Sequence, residues 1–160
     1  SQQRLADLDD RDRALALELA FGVIRLRARL DAELARLVDR PLPALDAALL
    51  ARLESYSRDE QLEQLSDVMS AEDKQQLAAL MQLDHDQWRT AVEPLDSEAI
   101  GHLIRFLAVA ENLPGWEAGA ASPVIPLAKV LRERGERLDK TQLLWLREVS
   151  ENRYLPYGPL

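Results

Sequence analysis

Apolar residues recur at helical spacing along most of the chain. Leu15, Leu19, Val23 and Leu26 fall on one face of a helix that Asp9 or Asp10 caps, and the stripe resumes at Leu30, Leu34, Leu37 and Val38. A bend near Arg29 separates the two, with Asp31 opening the second helix, and Gly22 marks a close approach by a neighbour. Pro41 and Pro43 then hold the backbone extended, because proline offers no N–H and pushes the residue before it out of helical geometry.

After the prolines the pattern predicts a further series of helices. Asp46 caps one that runs to about Tyr56. Ser57-Arg58-Asp59-Glu60 and Ser70-Ala71-Glu72-Asp73 have the serine-to-acid spacing of helix starts, and they open segments carrying Leu62, Leu65, Val68 and Met69, then Leu77, Leu80 and Met81. Asp84 caps a short helix with Trp88 and Val92, ended by Pro94. Asp96 caps a longer one with Ile100, Leu103, Ile104, Leu107 and Ala110 on one face. Asn112 to Ser122 is the least regular stretch. Ser122-Pro123 starts the next helix, whose first turn tolerates Pro126 and which Gly135 closes. Asp139 opens the last, with Leu143, Leu146 and Val149 inward, before an irregular tail from Asn152 to Leu160. The expectation is an all-α chain, a multi-helix bundle of about eight or nine helices with no strand.

Composition points the same way. Leu and Ala together number 53 of the 160 residues, whereas Val, Ile and Thr number 14, which disfavours sheet. With 47% hydrophobic residues the chain can bury a real core. No apolar run approaches the roughly 20 residues of a membrane span. No secretory pattern opens the sequence, and with cysteine absent the expectation is a cytoplasmic protein without membrane contact.

The net charge of −8 is unevenly placed. Ser1 to Leu53 holds nine Arg and nine acidic residues, so the entire −8 falls after it, where all the Lys and all three Trp also lie. This predicts two regions, residues 1–53 and an acidic helical region 57–160, which either pack as one domain or stand apart.

Little in the sequence points to catalysis. Without cysteine there is no thiolate nucleophile and no Cys-ligated zinc. Asp84-His85-Asp86 has metal-ligand residue types, but sequence neighbours do not share a helix face, and carboxylates suit a helix start. His102 sits off the stripe of Ile100, Leu103 and Ile104 and is expected in solvent. Neither a Rossmann fingerprint, a P-loop nor a Gly-x-Ser-x-Gly elbow is present. The expectation is a non-enzyme with no cofactor and no metal.

Binding residues are easier to nominate. Arg25 and Arg29, four apart, share a helix face, and with Arg11, Arg13, Arg36 and Arg40 they either pave a phosphate-contacting surface or form a solvated flank paired with Asp31 and Glu33. Arg132, Arg134 and Arg137 suit the negative end of their own helix. Trp116, in the loop Asn112 to Gly119, is either a partner anchor or a plug in the bundle. Tyr154 and Tyr157 belong to a tail that packs back on the domain or meets a partner.

One resemblance covers residues 8–53. Asp10-Arg11-Asp12-Arg13-Ala14-Leu15-Ala16-Leu17-Glu18-Leu19, Gly22-Val23-Ile24-Arg25 and Arg29-Leu30-Asp31, continued by Asp39-Arg40-Pro41-Leu42, resemble part of the NusB-like domain of RsmB-type ribosomal RNA cytosine methyltransferases. The resemblance implies an all-helical RNA-binding fold with Arg11, Arg13, Arg25 and Arg29 as RNA contacts. Those enzymes use catalytic cysteines, which this chain lacks, so their activity is not implied. The leading expectation is a non-catalytic module that binds RNA or a ribonucleoprotein. Its rival is a protein-interaction or regulatory adaptor acting through the acidic region, with Trp116, Tyr154 and Tyr157 as partner residues; a homodimer is a third possibility.

Overall fold

Asp46 begins the first described helix by accepting the Leu49 N–H at 2.8 Å, and the same device recurs along the chain. The structure is a computed structural model and describes residues 44–155. They belong to the second of two compact units, which divide between Pro41 and Leu42. The helices are α1 (Ala47–Arg58), α2 (Leu65–Val68), α3 (Ala71–Leu77), α4 (His85–Val92), α5 (Ser97–Ala110), α6 (Val124–Glu133) and α7 (Lys140–Val149). Short 3-10 turns at Leu62–Gln64, Ala78–Gln82 and Gly119–Ala121 connect them. Among the described residues there are seven α-helices and no strand. The two helices expected before Pro41 lie outside the described residues.

Local chemistry sets most of the helix ends. Ser70, Asp84, Asp96 and Asp139 each accept an N–H three residues on, satisfying a donor that the first helical turn leaves unpaired. Asp84 with Gln87, and Asp139 with Gln142, complete reciprocal capping boxes. At Gly135 (φ 80°) α6 closes with the Glu136 N–H on the Leu131 carbonyl and the Gly135 N–H on the Arg132 carbonyl.

Ser57 does not start a helix. α1 continues through Arg58 because Leu50, Leu53 and Ser57 share its buried face. It ends where Glu60 takes φ 55° and the Gln61 N–H returns to the Tyr56 carbonyl at 3.0 Å. The stretch after it, expected as one helix, splits into a 3-10 turn and the four-residue α2, neither with a side-chain cap. α1 thus crosses residues 53–57, where the composition shifts, without a break.

α5 is the centre of the core. Ala99, Ile100, Leu103, Ile104, Phe106, Leu107, Ala108 and Ala110 are all buried, too wide a set for one stripe and suited to a helix covered on several sides. α1, α6 and α7 pack against it. Phe106 stacks on Tyr56 at 5.5 Å and meets the edge of Trp116 at 6.3 Å. α4 packs on α6, where Arg89 forms a two-bond pair with Glu133. No helix among the described residues is long and apolar enough to cross a membrane.

Candidate functional site

The site grows from the end of α5. Its last turn passes into a chain of tight turns, with Asn112 N–H on Val109, Leu113 N–H on Ala110 and Trp116 N–H on Leu113. Gly115 (φ 83°) supplies the reversal that turns Trp116 inward. The chain then passes Gly119, whose φ of 56° again suits glycine, and reaches the buried Ser122 ahead of α6. On the other side, the segment after α7 runs back to bury Leu155 in the core. Between this returning segment and the 117–119 loop lies a cleft of about 380 Å³. Glu111, Asn112, Glu117, Glu151, Arg153 and Tyr154 are among its walls.

Hydrogen bonds fix the walls. Asn112 donates to the Val149 carbonyl at 2.7 Å, capping the end of α7. Asn152 donates to Glu111 Oε2 at 2.7 Å and to the Gly119 carbonyl at 2.9 Å. Ser122 Oγ donates to Glu111 Oε1. Tyr154 is 48% exposed, with the Arg153 guanidinium 5.0 Å from its ring centre. Glu117 folds back to accept the Gly115 N–H.

The electrostatics centre on Glu111, which is only 4% exposed. Burial pushes its carboxyl above the usual carboxylate range, and the hydrogen bonds from Ser122 and Asn152 pull the other way. The Glu117 and Glu151 carboxylates beside the exposed Tyr154 ring suit a cationic group carried on an apolar stem.

Trp116 proves to be a core residue. It is wholly buried against Phe106 and donates its indole N–H to the Lys74 carbonyl, so it plugs the bundle and presents no surface to a partner. Tyr154 stands at the cleft rim. Arg11, Arg13, Arg25, Arg29 and Tyr157 lie outside the described residues.

His102 departs from its expected solvent position. It is half-buried between α1 and α5, with Nδ1 2.9 Å from Ser57 Oγ and Nε2 3.9 Å from Glu98 Oε1. Desolvation lowers its pKa, aided by the Arg58 and Arg105 charges and opposed by Glu54 and Glu98. The residue types are those of a nucleophile–base–carboxylate relay, but Ser57 is 3% exposed, so its hydroxyl is closed to a substrate. The Asp84-His85-Asp86 triplet does not converge: Asp84 caps α4, Asp86 is exposed, and His85 Nε2 is buried. Among the described residues no three His, Asp or Glu side chains gather as metal ligands.

Arg134 does more than complement its own helix. Its guanidinium donates to the carbonyls of Leu95, Glu93 and Val92 at 2.6, 3.0 and 3.4 Å, capping α4 from α6. A smaller groove of about 200 Å³ lies between α5 and α7, where Arg105 sits 4.9 Å from the Trp145 ring centre.

Sequence patterns alone do not single out Glu111 and Asn152. One signal exists for the first: Glu111 lies four residues after Leu107, on the apolar stripe of α5. No local signal marks a pairing across 41 positions of sequence. No protein-family model, curated protein or solved structure matches the chain.

Proposed function

We propose that this chain is a non-catalytic helical binding module of the cytoplasm, and that its acidic unit receives a cationic segment of a protein partner. The observation that carries the reading is the charge distribution. Residues 42–160 hold the whole net charge of −8, while residues 1–41 are neutral. A surface of that sign attracts basic segments and repels polyanions. At the cleft rim, Glu117, Glu151 and Tyr154 offer a place for Lys or Arg side chains, their stems against the ring and their charges against the two carboxylates.

The test uses the full chain and a synthetic Lys/Arg-rich peptide. Binding weakens as salt rises from about 50 to about 200 mM, and the doubly reversed variant Glu117→Lys/Glu151→Lys loses it. Equal affinity in wild type and variant defeats the reading.

A second reading is RNA or ribonucleoprotein binding through Arg11, Arg13, Arg25 and Arg29. Its support is the resemblance of residues 8–53 and the density of arginine there, nine in the first 53 residues. The net negative charge of residues 42–160 disfavours a polyanion there, so this reading assigns the RNA affinity to those arginines. Arg25→Ala/Arg29→Ala then weakens RNA binding and flattens its salt dependence. An unchanged salt slope removes this reading.

A further inference from the structure

Residues 150–155 leave α7 extended at Ser150 (φ −109°, ψ 132°) and return across the molecule. Leu155 anchors their far end in the core. Between these points the segment is organised around Asn152. Its side-chain oxygen accepts the Tyr154 N–H at 3.0 Å, its own N–H donates to Ser150 Oγ at 3.1 Å, and its carbonyl accepts the Leu155 N–H at 3.3 Å. Its Nδ2 reaches outward to Glu111 and the Gly119 carbonyl. The strap is therefore folded chiefly on Asn152, backbone and side chain together, with the Glu151 N–H on Asn112 Oδ1 as a second tie, and the one ionisable partner of the Asn152 side chain is Glu111.

Glu111 is the one buried carboxylate among the described residues. Uncharged donors face it: Ser122 from the entry to α6 and Asn152 from the strap. The charged groups around the cleft are Glu117 from the loop, and Glu151 and Arg153 from the strap. Two of these three are like-charged with Glu111, and Arg153 lies over the Tyr154 ring. An ionised carboxylate enclosed without a cation is penalised by lost hydration, and lifting the strap restores that hydration.

We propose that residues 150–155 form a latch that opens while the helices stay folded, and that loss of the proton from Glu111 loosens it. The direction of linkage follows from burial, which raises the Glu111 carboxyl in the closed state. The closed state then holds more protons than the open one. Its advantage is complete below the ordinary carboxyl range and declines as pH rises through the raised value. Opening exposes Glu111 and the apolar seat of Leu155 together. The latch requires no bound partner, so it stands or falls apart from the cationic-peptide reading.

Amide hydrogen exchange on the full chain, corrected for intrinsic rates between about pH 4 and pH 8, tests the proposal. The Tyr154 and Leu155 amides are expected to open more readily than those of Phe106 and Leu107 in α5. Their opening constant rises at least about threefold as Glu111 ionises, and Glu111→Gln abolishes the rise. Asn152→Ala takes away the acceptor of the Tyr154 amide and the tie to Glu111, so it lowers strap protection at every pH, most at Tyr154, while the α5 amides keep theirs. Strap and α5 amides exchanging in step, or a rise that persists in Glu111→Gln, overturns it. Should Glu111→Gln fail to fold, the latch is equally overturned by strap protection that Asn152→Ala leaves unaffected, or by a flat wild-type profile.

Discussion

The indole N–H of Trp116 donates to the backbone carbonyl of Lys74 across 2.9 Å, joining the loop after α5 to α3, 42 positions earlier in sequence. The ring also meets Phe106 edge-on, and Phe106 in turn stacks on Tyr56 of α1. One loop residue thus connects α1, α3 and α5. The cleft wall that follows it, from Glu117 to Gly119, is set by how firmly that residue is held.

Replacing Trp116 separates its packing from its hydrogen bond. Trp116→Ala empties a wholly buried site and is expected to cost about 3–5 kcal/mol. Trp116→Phe retains most of the ring contact and loses the donor, at about 1–2 kcal/mol. Urea denaturation measures both. An alanine variant as stable as wild type contradicts the packing and hydrogen-bonding role assigned to Trp116.

Glu60 occupies the left-handed region at φ 55° where α1 terminates. A side chain there crowds the following carbonyl, whereas glycine adopts the conformation freely. The position is exposed, so no packing opposes the change. Glu60→Gly is expected to stabilise the unit by about 1 kcal/mol, raising the thermal midpoint. A lowered midpoint contradicts this account of the α1 terminus.

These two sites show what the sequence discloses and what it conceals. Asp46, Asp84, Asp96 and Asp139 are legible as caps because a cap is settled by donors three residues away. Ser57 has the same local signature and a different role, because its hydroxyl meets His102 across 45 positions. Local spacing cannot reveal such a partner. Trp116 is ambiguous in the same way: a loop tryptophan is an anchor or a plug according to what surrounds it, and here Phe106 and the Lys74 carbonyl decide. Within the site, the exposed Tyr154 stands out in the composition of the tail, whereas Glu111 and Asn152 depend on the fold bringing α5 beside the strap.

His102 makes the α1–α5 seam sensitive to acid. Its folded-state pKa lies below the ordinary histidine value, with desolvation the main cause. The neutral ring is therefore favoured by folding. Its contribution is present above the ordinary pKa and is lost as pH falls through the lowered one. The urea midpoint of the wild type is expected to drop across that interval more than that of His102→Gln. Parallel curves exclude His102 as the source.

Arg134 caps α4 from the end of α6, so its loss should loosen two helices at once. Its planar guanidinium reaches the Leu95, Glu93 and Val92 carbonyls together, a spread that a single ammonium does not reproduce. Arg134→Ala is expected to cost about 1–2 kcal/mol through lost charge-assisted bonds and helix-end electrostatics. Arg134→Lys should recover only part of this, because it retains the charge without the fork. The nearby Arg89–Glu133 pair is two-bonded but open to solvent, half-buried at Arg89 and exposed at Glu133, and solvent-exposed pairs contribute at most about 1 kcal/mol. Glu133→Gln should accordingly cost no more than about 1 kcal/mol, less than Arg134→Ala, and adding it to Arg134→Ala should add no more than that. Denaturation of the three single variants and the double variant measures these terms. Full recovery by lysine would show that charge, rather than the three-carbonyl geometry, carries the cap.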